Sequence, residues 1–597
     1  MIRYGFILVF VILSLISSCS GPRNPYSQTD ITLPELKYHV EILASDSLEG
    51  RAPGTEGGLK AAEYIAGEFR YYSLQPGGAN GFYQDFPVIT GVTADSGNRL
   101  MIGNEILAIG KDFIPLAFSA DTTVEGPVVF AGYGITSAEA MYDDYAGIDV
   151  KEKIVMVMRY SPDGDDPKSV FKNAMPSRRK AAVAAEKGAK GLLVVTGPAD
   201  GDDELIPLQY DNTLGNYGIP VFSVSRSAAE KILHTVNKKL ADLQSGINKT
   251  RKPNSFSVPT TAILQSRIVY DRKTTSNIIG LIEGSDADLK KEIIVLGAHY
   301  DHLGWGGPNS AYRGKPAIHN GADDNASGTA AILELAQKLS SVRSELKRSV
   351  LIIAFGAEEM GLLGSKYFLD HPTIDTRQII TMVNLDMIGR LNENKLLVYG
   401  MGTSPGFRKI ITDMNNEYQF DLALRDEGSG PSDVAEFYRK DIPVMYFFTN
   451  THEDYHKPSD DADKINYSGQ EKITKMVFDV IIRIANAEEK PKFTKAKEDA
   501  AARPSGFRVT LGIVPNMAES GNGLKVDGVN PGGAGDKAGI RKGDNIIKFG
   551  DRVIKNIYDY TYALGDHKPG DAVDIIVIRD GKEVQLKAVM QKSKRRD

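Results

Sequence analysis

The chain has 597 residues, 42% hydrophobic and 25% charged, which are ordinary globular values. Single hydrophobic cores stop growing near ~250–300 residues, so two to four domains are expected. A net charge of -6, from 71 basic and 77 acidic residues, argues against a nucleic-acid binder and identifies no other partner.

At the N-terminus Arg3 precedes an apolar run from Tyr4 to Ile16, closed by Ser17-Ser18-Cys19-Ser20. The run is too short to span a bilayer comfortably and suits the core of a signal peptide. Small residues directly before a lone cysteine resemble a bacterial lipoprotein signal, with residues 1–18 removed and Cys19 lipidated. The resemblance implies an exported lipoprotein held at a membrane of the cell envelope by its acyl chains. Ser20 resembles the residue that sorts such proteins to the outer membrane. The plainer reading is an ordinary signal peptide with an incidental cysteine. Cys19 is the only cysteine, so no intrachain disulfide forms and no cysteine serves as a zinc ligand in the folded body.

Residues 19–30 read as a flexible tether. Leu36, Val40, Leu43 and Leu48 fall on one helical face, and Ala61, Tyr64, Ile65 and Phe69 on another. Between them Ser47 to Thr55 is a loop rich in glycine and proline. From 105 to 254 the texture changes to short β-type runs around an alanine-rich helix, Arg179 to Lys187, without a metal-ligand cluster. This stretch reads as a β-rich insert that splits one domain into 31–104 and 255–490. Within 255–490 apolar runs ending at His299, Phe355, Asp386 and Phe448 alternate with helices such as Ala330 to Leu339. That pattern predicts an α/β fold with a mostly parallel sheet covered on both faces. Residues 491–505 form a charged linker, and 506–592 a small, separable β-rich unit.

Ligands of such sheets sit at the carboxyl ends of the strands. His299, Glu358, Glu359 and Asp386 each fall at or just past a strand end, which groups them into one site. His299-Tyr300-Asp301 sets a carboxylate two residues beyond an imidazole, where it can fix the tautomer of a metal ligand. A buried structural His-Asp pair fits the same residues. Asn320 to Gly328 carries Asp323-Asp324-Asn325 into a helix, where acids also serve as caps. In Glu358-Glu359 one carboxylate can bind metal while its neighbour moves protons. Asp386 ends an apolar strand and needs a partner there. His456 sits in an aromatic, acidic loop. His302, His319 and His452 are read as outer-layer or surface residues. Together these segments offer two imidazoles, a bridging carboxylate, two terminal carboxylates and a spare base, the donor set of a two-metal hydrolase.

His299, Asp324, Glu358-Glu359, Asp386 and His456, in that order, resemble the co-catalytic zinc aminopeptidases, family twenty-eight of the metallopeptidases. The likeness runs through roughly 35–104 and 255–485 and includes Leu43 to Arg51 and Gly361 to Ser365. It implies two Zn2+ per chain: His299 and Asp386 on one ion, Glu359 and His456 on the other, and Asp324 bridging. It further implies Glu358 as general base, Asp301 orienting His299, and a cis peptide between Asp324 and Asn325. The family often has Ser-Asp-His where this chain has Ser432-Asp433-Val434, which bears on substrate contacts. The insert resembles a protease-associated domain, through Val128 to Gly134, Gly147 to Val150, Lys153 to Val157 and Lys180 to Val195. The last unit resembles a bacterial PDZ domain, with Leu511-Gly512-Ile513 as the loop that takes a peptide C-terminus by strand addition.

The expected activity is removal of N-terminal residues from peptide substrates. A carboxypeptidase on this fold would need a cation for the substrate carboxylate, for which Arg313 and Arg425 are candidates. Glutaminyl cyclases share the fold but typically use one zinc. A non-enzymatic binding lipoprotein is the alternative from another class.

Overall fold

The computed structural model describes residues 29–166, 169–210, 216–307, 309–312, 314–496, 509–515, 523–530, 532–554 and 557–592. The signal segment, Cys19, Arg313 and linker positions 497–505 lie outside them. Among the described residues no helix is long and apolar enough to cross a membrane.

The chain opens with the helix Leu33–Leu43, which has proline in its first turn and buries Leu36, His39, Val40 and Leu43 along one stripe. It stops there, short of Leu48. Glu49, Gly50 and Arg51 all take positive φ, so Asp46–Arg51 is a tight turn and not a helical continuation. The helix Glu56–Tyr71 follows, capped by the Thr55 hydroxyl, which accepts the Gly58 N–H.

A nine-stranded sheet forms the module that the insert interrupts. At its centre Ser349–Phe355, Ile293–His299, Ile379–Leu385 and Val444–Phe448 lie side by side and parallel. Each is buried along its whole length, as strands covered on both faces must be. Ile268–Ile282 and Lys395–Tyr399 flank this block antiparallel. Helices Leu33–Leu43, Glu56–Tyr71, Gly328–Ser341 and Tyr467–Asn486 pack one face. Leu363–Asp370 and Val434–Arg439 pack the other. Ile293–His299 sits between the strands that follow it in sequence. The chain therefore crosses first to one side and then to the other, and a crevice opens at the His299 end.

The antiparallel ribbon of Tyr83–Ala94 with Ile268–Ile282 carries the chain to and from the insert. There an eight-stranded sheet runs from Glu105–Ile106 through Arg99–Ile102, Ser255–Gln265, Thr123–Ala131, Ile154–Met158, Gly191–Val195 and Val221–Val224 to Phe113–Pro115. Its strands reach a few residues beyond 105–254 at both ends. Apolar clusters cover both of its faces.

Beyond the helix Tyr467–Asn486, residues 490–496 are laid on the surface of the nine-stranded module. Lys490 pairs with Glu292 at 3.1 Å, and the buried Ala496 N–H donates to the Tyr438 hydroxyl at 3.0 Å. The C-terminal unit has a six-stranded sheet ordered Ile513–Pro515, Leu524–Val529, Asn545–Phe549, Ala572–Arg579 and Lys582–Val589, with Arg552–Val553 beside Asn545–Phe549. It closes over its own core of Leu511, Leu524, Val526, Ile546 and Ile575.

Candidate metal centre

Five loops converge at the carboxyl ends of the parallel strands. His299 ends its strand, Asp386 lies one residue past Leu385, and Glu358 and Glu359 follow the turn after Phe355. His456 comes from the loop after Phe448. Asp324 belongs to the irregular turn Ala322–Ser327, and its peptide bond to Asn325 is cis.

Asp324 faces two ways. Its Oδ1 lies 3.3 Å from His299 Nε2, and its Oδ2 lies 3.1 Å from His456 Nε2. On the first side Asp386 Oδ1 is 3.3 Å from the same His299 nitrogen. On the second, Glu359 Oε1 is 3.2 Å from His456 Nε2. His299, Asp324, Asp386 and His456 are buried, and the Glu359 side chain is only 7% exposed. Burial works against the charge on Asp324, yet its bonds to His299 and His456 hold it well below the usual carboxylate range. Glu359 is likewise opposed by burial, but the charge of His456 and bonds from His302 and His456 bring it to about 2. Burial pushes Glu358 well up, helped by the charges of Glu359, Asp386 and Asp433. Four carboxylates this close together and this dry call for cations. The donor atoms fit them: His299, Asp324 and Asp386 form one group within 4.8 Å, and His302, Asp324 and Glu359 form another.

The second group contains His302, which the sequence reading placed in an outer layer. Two imidazoles therefore share that side, and their bonds distinguish them. His456 Nδ1–H donates to the Asn309 carbonyl at 2.9 Å, so Nε2 is the nitrogen left to face Asp324 and Glu359. His302 Nδ1 meets Glu359 Oε1 at 2.9 Å but stands 3.9 Å from Asp324. This is the geometry of a donor that aims Glu359. Gly321, at φ +54°, leaves room for the ring, since a Cβ there would lie 2.5 Å from His302 Cδ2.

Asp301 acts through different atoms from those expected. Its backbone carbonyl takes the His299 Nδ1–H at 3.2 Å, while its carboxylate stands 3.8 Å from that nitrogen. The carboxylate instead accepts the N–H groups of Glu358 and Glu359, at 3.0 and 3.3 Å. It thus ties the His299 loop to the paired glutamates.

Residues around Asp324 also hold the chain around Asp386. Asn325 Nδ2 donates to the Leu385 carbonyl at 3.0 Å, and Asn325 Oδ1 accepts the Met387 N–H at 3.1 Å. Ser327 Oγ accepts the Ile388 N–H, and Asp323 Oδ1 the Gly389 N–H. Asp460 Oδ2 accepts the N–H groups of both Asp323 and Asp324. Arg51, wholly buried, donates to the carbonyls of Leu43, Tyr300, Asn320 and Gly321. One guanidinium thereby staples three chain segments beneath the site. Neither Asp460 nor Arg51 was assigned a role from the sequence, because their partners lie far away along the chain.

His452 stands 3.1 Å from Asp323, and His319 shares a 2.7 Å hydrogen bond with Ser310. Val434, where the family often has histidine, is buried in the apolar cluster on the far face. Asp433 beside it is buried too, which raises its carboxyl to about 7. Arg425 directly follows the outer strand Asp421–Leu424. Leu511, Gly512 and Ile513 lie in the C-terminal unit, where Gly512 takes φ +72°.

The fold and these donors define a metallohydrolase centre at a parallel-sheet switch point. Residues 277–481 match peptidase family M28. Residues 124–232 match the PA domain and 509–589 the PDZ domain. Aminopeptidase YwaD of Bacillus subtilis (strain 168) is 25% identical over 447 residues, covering 70% of this chain and 85% of the relative. Leucine aminopeptidase 2 of Trichophyton equinum is 28% identical over 192 residues, 30% of this chain and 35% of that one. The chain thus spans about a third of the fungal enzyme. Among solved structures, the aminopeptidase from Aneurinibacillus sp. strain AM-1 superposes with TM-score 0.45 at 22% identity, covering 78% of this chain and 95% of that one.

Proposed function

We infer that this protein is a zinc-dependent aminopeptidase that removes N-terminal residues from peptides, using two Zn2+ ions per chain. One observation carries the reading: the two oxygens of Asp324 each face a different imidazole, and each imidazole has its own second carboxylate. His299 and Asp386 would hold one ion, His456 and Glu359 the other, and Asp324 both. Bound there, zinc polarises a carbonyl and lowers the pKa of water.

The chain's own groups do the rest. Glu358 Oε2 stands 4.0 Å from His299 Nε2, beside the donors and not among them. It receives the proton of the attacking water and returns it to the leaving amine. Asp301 fixes the backbone from which Glu358 projects. The carboxylate cluster favours a substrate ammonium. A carboxypeptidase would need a cation, and Arg51, whose charge reaches Asp301, Asp324 and Glu359, has its donors committed to backbone carbonyls.

The C-terminal unit would take peptide C-termini at Leu511-Gly512-Ile513. Arg3, the apolar run Tyr4 to Ile16 and Ser17-Ser18-Cys19 support export and lipidation at Cys19, with anchoring at the outer membrane. The test is a zinc-loaded assay on N-terminally free, N-blocked and C-blocked peptides. Free and C-blocked peptides should be cleaved. Cleavage of the N-blocked set, with the C-blocked set resistant, would contradict the reading.

A further inference from the structure

The outermost strand of the C-terminal sheet, Ile513–Pro515, pairs among the described residues only with Leu524–Val529. The Gly512 carbonyl accepts the Asn530 N–H at 2.7 Å, so Gly512 faces the sheet. Alternation along the strand then turns the polar groups of Ile513 and Pro515 to the open edge. Proline has no N–H, so Pro515 offers that edge a single group, its carbonyl. Thr451 of the catalytic module already donates its hydroxyl to it, at 3.1 Å. A second contact lies close by: Lys457 Nζ donates to Asn530 Oδ1 at 2.9 Å, and Asn530 is the backbone partner of Gly512 in the carboxylate loop.

Thr451 and Lys457 bracket the metal-site residue His456. His456 lies five positions beyond Thr451, at most ~18 Å of extended chain. The loop between them is short of slack. Thr449 bonds the Met387 carbonyl, the residue after Asp386, and His452 stands against Asp323, the residue before Asp324. Movement at Thr451 is therefore passed to groups that position the donors.

We propose that the open edge Ile513–Pro515 is contested between Thr451 and the free C-terminus of a peptide, and that its occupancy is coupled to the metal centre through loop 449–457. A peptide with its carboxylate at Leu511-Gly512-Ile513 adds antiparallel to the edge and runs upstream past Pro515. There its backbone N–H needs the carbonyl that Thr451 holds. Binding frees Thr451 and loosens His456. By linkage, ions that fix His456 must weaken the peptide by the same factor. The inference rests on the metal assignment above, and its test separates the two.

The probe is an octapeptide ending in valine with a free carboxylate, its N-terminus blocked by fluorescein so that it cannot be trimmed. Anisotropy gives its Kd for the full chain, metal-free and zinc-loaded, in wild type and in Thr451→Val, which keeps shape and loses the hydroxyl. Zinc should weaken wild-type binding by roughly 5–150-fold, the usual range of coupling. Thr451→Val should bind more tightly than wild type even without metal, and the C-amidated peptide should not bind. Equal Kd for the variant and wild type, a Kd unchanged or tightened by zinc, or equal affinity for the amidated peptide would overturn the proposal. A chain that takes up no zinc refutes the metal assignment instead. The metal-free comparison then still decides whether Thr451 competes for the edge.

Discussion

The catalytic sheet and the insert sheet share one construction and end in different chemistry. Ile293–His299 and Ile154–Met158 are both parallel, central and buried along their whole length. In the catalytic sheet the strand ends release imidazoles and carboxylates whose remaining valences point at one another. In the insert, Ile154–Met158 and Gly191–Val195 run into Arg159 and Thr196. The buried cation there is Lys180, whose ammonium donates to the carbonyls of Tyr133, Met158 and Tyr160. A cation whose protons are all used closes a sheet end. A cluster of carboxylates with unfilled lone pairs invites ions. The architecture supplies the crevice, and the balance of donors and acceptors decides whether it is a site.

The largest effect expected from breaking this contrast lies at Glu358. If it moves protons and binds no ion, Glu358→Gln should keep its zinc and lose activity on an aminoacyl amide. The loss should reach or exceed the upper end of the ~10²–10⁴-fold typical of general acid–base catalysis, since one group serves both transfers. Zinc content and kcat check it, and near-normal kcat would refute the role. Glu359→Gln should instead lose zinc and activity together.

A smaller effect is expected at His302. As the donor that aims Glu359, it should cost ~10–100-fold in zinc affinity when changed to alanine, the usual range for such supports. Chelator competition measures this. A total loss of one ion would promote His302 to a ligand.

The smallest effect belongs to the insert. Burial lowers Lys180 to about 7, against ~10.4 for an unfolded lysine. Between those values the unfolded chain binds more protons, so insert stability should rise with pH, by at most about 1.4 kcal/mol per unit. Below pH ~7 both states are protonated and this contribution is flat. Lys180→Met should remove the rise and leave peptidase activity unchanged. Hydrogen exchange in 154–158 and 191–195 at pH 7 and pH 9 reads it.

The strand-end residues were legible because local pattern carries them: an apolar run buried on both faces must stop where a His or Asp appears, and the sheet brings such stops together. Asp324 was legible through its glycine-flanked loop. The supports were not. Arg51, Asp460 and Asn325 act on backbone groups up to hundreds of residues away, and no periodicity encodes that. His302 was visible three residues from His299, but its aim at Glu359 depends on the space left by Gly321. The helix expected to run on to Leu48 ended early because the chain turns through positive φ to deliver Arg51. The contact of Thr451 with Pro515 joins two modules, so neither module's own pattern announces it.

The central claim is that Asp324 serves two ions at once. Zinc per chain, measured by elemental analysis after loading and desalting, tests it most directly in wild type and in Asp324→Asn. The account predicts two ions in the wild type and a marked loss from both positions in the variant. One ion in the wild type, or two retained in Asp324→Asn, would contradict it.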